Sequence, residues 1–130
     1  MMGTTTKFGV FDRDSVPLRQ FNAALTVAKN NDIQVAYSNE AFELWYLLHF
    51  NFYQTAVPRA DYIKKLSKLM GHKYKKNSQS IYQELEKRQQ TAIKNAKRLL
   101  KQYNPPRPAH DNPSTTVHLL VEQLNRFIRK

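Results

Sequence analysis

Two short apolar runs with a helical repeat between them constrain this chain more than any other feature. Phe8-Gly9-Val10-Phe11 stops at Asp12, as a buried strand does when it leaves a core for a polar loop. Ile33, Val35 and Tyr37 alternate with Gln34 and Ala36, the spacing of a second strand. Between them Phe21, Ala24, Leu25 and Ala28 recur at helical intervals. Ser15 and Pro17 supply an N-cap and an early-turn proline, and Asn30-Asn31-Asp32 breaks the helix. Asn39 reads as the cap of a second helix with Glu40 in its favourable first turn. A strand-helix-strand unit calls for a right-handed crossover and parallel pairing. Residues 1–52 are therefore expected to form a βαβα half built on a small parallel sheet.

From Asp61 onward the pattern is helical. A helix near Ala60 to Met70 leads into the basic loop His72 to Asn77. Over Gln79 to Tyr103 the positions Ile81, Leu85, Ala92, Ala96, Leu99 and Tyr103 make one apolar stripe, which predicts one long helix with Lys87, Lys94, Arg98 and Lys101 off the stripe. Asn104 to Pro113 holds four prolines and reads as a connector. Ser114 or Thr115 then caps a last helix carrying Val117, Leu120, Val121, Leu124 and Phe127. Residues 53–130 form a basic helical half. At 130 residues the two halves suit one α/β domain with a core of its own.

The net charge of +11 is localised. Residues 59–107 hold fourteen Lys or Arg against three acids, and the rest of the chain holds seven of each. A field concentrated in this way attracts polyanions, and nucleic acid is the leading partner. Solvated lysine-rich helix faces produce the same composition. The chain has no cysteine, which excludes disulfides, thiolate metal sites and cysteine nucleophiles and is consistent with a reducing, cytoplasmic setting. The longest apolar run, Leu44 to Phe50, is interrupted by His49 and is too short to span a bilayer. Nothing in the pattern suggests a membrane partner.

Ligands of a parallel sheet bind beyond the carboxyl ends of its strands. Asp12, Arg13 and Asp14 end the first strand; Ser38, Asn39 and Glu40 end the second. Two carboxylates two residues apart can share a divalent ion, and hard oxygen ligands suit Mg²⁺ or Mn²⁺. An Asp-x-Asp after a strand also arises as a simple capping turn. Glu43, inside Phe42-Glu43-Leu44-Trp45, stands where an amphipathic helix buries something apolar. It is expected either to pair with a cation such as Arg13 or to be held for catalysis, since an unpaired buried charge is costly. His49 is six residues on, off the face of Glu43, and reads as a structural or site-lining residue.

Val10 to Asp14, Ala36 to Trp45 and His49-Phe50 together resemble the RloB-like family of prokaryotic defence proteins. The likeness continues through Tyr74-Lys75-Lys76, Ala92 to Lys97 and Asn112 to Val117, nearly the whole chain. The resemblance implies a TOPRIM-type metal-dependent nuclease of anti-phage loci, with RNA, tRNA or DNA as substrate and a defence-system ATPase as a partner. It implies that Asp12 and Asp14 are the acidic pair that holds Mg²⁺, with Asn39 and Glu43 lining the site and Glu43 catalytic. TOPRIM nucleases add a glutamate from an earlier strand as general acid/base, and the chain is expected to lack that strand. Its sheet edge would then be completed by a second copy or a partner. Glu40 stands where the family usually has proline.

Three readings follow. In the first the chain is a nuclease, with Lys73, Lys75, Lys76, Lys87, Lys94, Lys97, Arg98 and Lys101 on the phosphates. In the second it binds nucleic acid without turnover. In the third, Phe11-Asp12-Arg13-Asp14-Ser15 is a haloacid-dehalogenase-type motif with Asp12 as nucleophile, a reading that needs a later acidic pair at a strand end, which the sequence lacks.

Overall fold

The computed structural model of the protein describes residues 7–13, 18–31, 33–76 and 80–128. Asp14, Ser15, Pro17, Asp32, Asn77 and Gln79 lie outside them, as do the side chains of Phe8, Phe11, Ile33 and Phe127. The chain is α/β and mostly helical. It runs β1 (Lys7–Asp12), α1 (Leu18–Asn30), β2 (Ile33–Asn39), α2 (Glu43–Leu47), α3 (Arg59–Met70), α4 (Ile81–Leu85), a 3-10 turn at Glu86–Arg88, α5 (Gln89–Leu100), β3 (Ser114–Thr115) and α6 (Val117–Ile128).

Strand β2 is central, in the order β1-β2-β3. It pairs with β1 in parallel from Lys7↔Ile33 to Asp12↔Ser38, and with β3 antiparallel through Ser38↔Thr115 and Asn39↔Ser114. The sheet is therefore mixed, which corrects the expectation of parallel strands alone. The third strand enters from the connector that precedes α6, so no crossover helix sets its direction.

The two faces of β2 are buried against different partners. Tyr37 and Val35 pack on Phe21 and Leu25 of α1, with Ala109 completing this small cluster. Ala36 points the other way, into the main core of Leu44, Trp45, Leu47 and Leu48 with Tyr62, Leu66, Leu85, Ala96 and Leu99. One core thus joins α2 to the helices that follow it.

Four local expectations change. Asn39 does not cap a helix; it ends β2, and α2 begins at Glu43. The long helix over 79–103 is divided by the 3-10 turn. Between Leu85 and Ala92 six residues are polar, so no core contact holds the helical ladder on one axis there. Ser114 and Thr115 form β3 instead of starting α6, although the Thr115 hydroxyl still accepts the Val117 N–H at 3.3 Å. Leu124, expected on the buried stripe, is 52% exposed.

Candidate acidic rim and basic interface

The pairing of β1 with β2 sets Asp12 opposite Ser38 at the carboxyl end of the sheet. Asp12 and Arg13 are half-buried, and Ser38 and Asn39 are buried. The connector before β3 closes over this rim. Arg13 Nε donates to the Ala109 carbonyl at 3.2 Å, and Asn39 Nδ2 donates to the Pro108 and Ala109 carbonyls at 3.2 and 3.3 Å. Ser38 Oγ bonds Thr115 Oγ1 at 2.8 Å. The turn is held from within, since Asp111 Oδ2 accepts the Arg107 N–H at 2.7 Å. Asn39 and Ser38 are thus committed to holding the rim together. Among the described residues no three or more His, Asp or Glu side chains converge as a metal site would require. Asp14, the other half of the expected pair, lies outside them.

Glu43 is buried, 1% exposed, and its partner is Arg59, not Arg13. Arg59 Nε reaches Oε1 at 3.0 Å and Nη2 reaches Oε2 at 3.2 Å, a two-pronged fit that suits guanidinium and carboxylate geometry. Tyr74 donates its hydroxyl to Oε2 at 2.9 Å. Burial alone would raise the Glu43 pKa, but these hydrogen bonds outweigh it and hold the group below its ordinary value. Glu40 also serves Arg59, its Oε2 accepting the Arg59 N–H at 2.9 Å at the start of α3. Both acids anchor α3 and the Tyr74 loop to α2. The sequence hid this because Arg59 and Tyr74 are 16 and 31 residues away from Glu43.

His49 is buried with its Nδ1 on the Trp45 carbonyl at 2.9 Å, its ring edge-on to Trp45 with centroids 4.9 Å apart. Burial pushes its pKa below the usual histidine value, so the ring is neutral at pH 7 and Nδ1 carries the proton that the carbonyl accepts. The structural reading of His49 fits this buried, hydrogen-bonded ring, which also lines a cavity between α2 and the α4–α5 segment.

The basic residues fall into two groups. Lys73, Lys75, Lys76, Lys87, Lys94 and Lys101 are exposed, with Lys73 to Lys76 fixed by the buried Tyr74 between them. Lys97 pairs with Glu122 of α6 at 2.9 Å, and Arg98 stacks over Phe52 at 4.0 Å. Lys94, Lys97 and Arg98 of α5 and Lys101 at its C-cap share one face by their spacing.

Sequence reasoning missed the residues that bind this face together. Three successive aromatics of the segment after α2 each carry a cation from a different element. Arg88 of the 3-10 turn lies over Phe50 at 4.9 Å, Arg98 of α5 over Phe52, and Lys65 of α3 over Tyr53 at 5.8 Å. The signal was Phe50-Asn51-Phe52-Tyr53, three aromatics in four residues beside the segment that holds the charge. Such aromatic–cation layers gather positive charge that would otherwise spread apart.

A model of the RloB-like protein family matches residues 6–124. Searches of the curated proteins and of the solved structures return no match.

Proposed function

The chain belongs to the RloB-like protein family, and from that premise we propose a Mg²⁺-dependent nuclease domain that acts on nucleic acid in defence against phage. The observation that carries the reading is the set of cations from α3, the 3-10 turn and α5 gathered on the Phe50–Tyr53 segment. Bases stack on aromatic and guanidinium faces while neighbouring lysines neutralise phosphates. In this reading β1 and β2 belong to a TOPRIM-type sheet, and Asp12 and Asp14 would hold the ion. Magnesium in phosphoryl-transfer sites takes one or two carboxylates, waters and substrate phosphates, a donor set that Asp12 fits and that needs neither Asn39 nor Glu43. When bound, the ion would neutralise charge developing on the phosphodiester. The lysines of α5 and of the Tyr74 loop orient the strand, and Arg13 supports the rim. In the described residues β1 pairs with β2 alone, an edge that a second copy or a partner protein would extend.

A second reading, binding without turnover, is favoured by the fate of Glu43, whose carboxylate is taken up by Arg59 and Tyr74. One experiment separates the two. Wild type and the Asp12→Ala/Asp14→Ala variant are incubated with labelled tRNA and single-stranded DNA, with Mg²⁺, Mn²⁺ or chelator. Cleavage that needs both metal and aspartates is the nuclease result; retained, salt-sensitive binding without products supports the second reading. Cleavage in chelator, or undiminished in the variant, overturns the first.

A further inference from the structure

The cavity between α2 and the α4–α5 segment has the build of a ligand site, and neither the fold nor the rim uses it. Its volume is about 170 Å³, close to the roughly 150 Å³ that holds a single benzene ring. The walls are aromatic, with Phe42, Trp45 and Tyr82 among them. Trp45 is 4% exposed and fixed, whereas Tyr82 is 61% exposed at the lining, a large ring left open to solvent. A single planar ring in the cavity would stack on both kinds of surface.

The polar groups are few and of defined character. His49 spends Nδ1 on the Trp45 carbonyl, which leaves Nε2 as an acceptor in the neutral ring. Gln89 accepts the Asn125 Nδ2 through its Oε1 at 2.8 Å, so its amide N–H groups remain to donate. Glu86 adds a carboxylate acceptor. Two acceptors and one donor group match a planar ring with an exocyclic amine beside a carbonyl. Carboxylates accept from the cytosine amine in the same manner elsewhere. Charge complementarity points the same way: Lys87 and Arg88, both exposed, lie between Glu86 and Gln89, and Arg88 continues into the cation–aromatic layer over Phe50.

We propose that this cavity takes one unpaired, cytosine-type base, read by His49, Glu86 and Gln89, with its flanking phosphates on Lys87 and Arg88. The proposal deepens the nucleic-acid reading above and rests on it for the source of the base, a strand instead of a free nucleotide.

Trp45 is the only tryptophan in the chain, so its fluorescence reports on the cavity directly. The full chain is titrated at low salt with an abasic oligonucleotide that carries one central cytidine, with the same strand fully abasic, and with cytidine monophosphate. The cytidine strand is expected to quench Trp45 and to bind about tenfold more tightly than the abasic one, the scale of one stacked base. Tyr82→Ala, which removes a cavity ring that is 61% exposed and is checked for folding by thermal melting, is expected to abolish that difference. Equal binding of both strands with no quenching overturns the cavity proposal and leaves the nucleic-acid reading standing. If neither strand binds, the nucleic-acid reading falls; quenching by the monophosphate then assigns the site to a free nucleotide, and its absence overturns the site altogether.

Discussion

Glu43 lies buried with both carboxylate oxygens bonded, Oε1 to Arg59 and Oε2 to Arg59 and Tyr74. An acid one turn before Leu47 on an apolar helix face must be paired, and the sequence shows that much; which of many cations pairs with it depends on how α3 packs on α2. The consequence is that the two partners are unequal in what their loss does. Arg59→Ala strands a buried carboxylate and is expected to destabilise by up to about 3 kcal/mol. Tyr74→Phe removes only a hydroxyl and should cost about 1 kcal/mol. Urea denaturation of both variants tests the order, and equal midpoints would show that Arg59 carries no special share. The same residues set the response to acid. Burial lowers the His49 and His118 pKa values from 6.5, so the unfolded chain takes up those protons more readily. Their contribution is complete above pH 6.5 and declines below it. The Glu43 pKa, lowered from 4.5 against the penalty of burial by the bonds from Arg59 and Tyr74, acts with the same sign in a lower window, complete above pH 4.5 and lost beneath it. In His72→Ala, which removes the exposed histidine whose bond to Glu84 raises its pKa and so acts with the opposite sign, the thermal midpoint should therefore fall in two stages, from about pH 6.5 and again from about pH 4.5. A midpoint that stays flat from pH 8 to 5 would contradict the histidine assignment.

The elements with the clearest period were the most readable. The β1-α1-β2 unit and α3 lie where hydrophobic spacing puts them, and α1, β2 and α3 each bury an apolar face; Val10 of β1, expected in a buried run, is 49% exposed. The pieces that sequence could not supply are short and held by side chains. Strand β3 is two residues long, and its place depends on hydroxyls instead of an apolar pattern. Thr116 Oγ1 accepts the Tyr37 N–H at 3.0 Å and lies 3.3 Å from the Val35 carbonyl, to which it donates. The Thr116 N–H returns to the Tyr37 carbonyl at 2.9 Å. Thr116→Val keeps the shape and removes both hydroxyl bonds, leaving a buried N–H unmet. A loss of about 1–3 kcal/mol is expected, with hydrogen exchange quickening first at Tyr37. Unchanged protection there would mean that the backbone pairing and the Ser38–Thr115 bond hold β3 without the Thr116 hydroxyl. The same logic explains the divided helix: six polar residues after Leu85 leave the ladder without a core contact, a feature visible in the sequence only once a break is looked for.

At the scale of the whole molecule, charge was the most readable property and its geometry the least. The surplus of Lys and Arg in residues 59–107 follows from counting; the sharing of those cations among α3, the 3-10 turn and α5 around one aromatic segment does not. That arrangement ranks the cations by availability. Lys94 on α5 and Lys101 at its C-cap are exposed, whereas Lys97 is held by Glu122 and Arg98 by Phe52. If the face binds a phosphate backbone, each cation that neutralises a phosphate contributes about 0.7 to the salt slope on single strands. Lys94→Ala and Lys101→Ala should each flatten the slope of log K against log salt by roughly that amount. Lys97→Ala should change it less, because its ammonium already faces a carboxylate. Anisotropy titrations of a labelled single strand between low and moderate salt measure all three slopes. If Lys97→Ala flattens the slope as much as the other two, the Glu122 pair opens on binding and α6 belongs to the interface; if none of the three changes it, the polyanion sits on α3 and the Tyr74 loop, and α5 serves only to hold the aromatic segment in place.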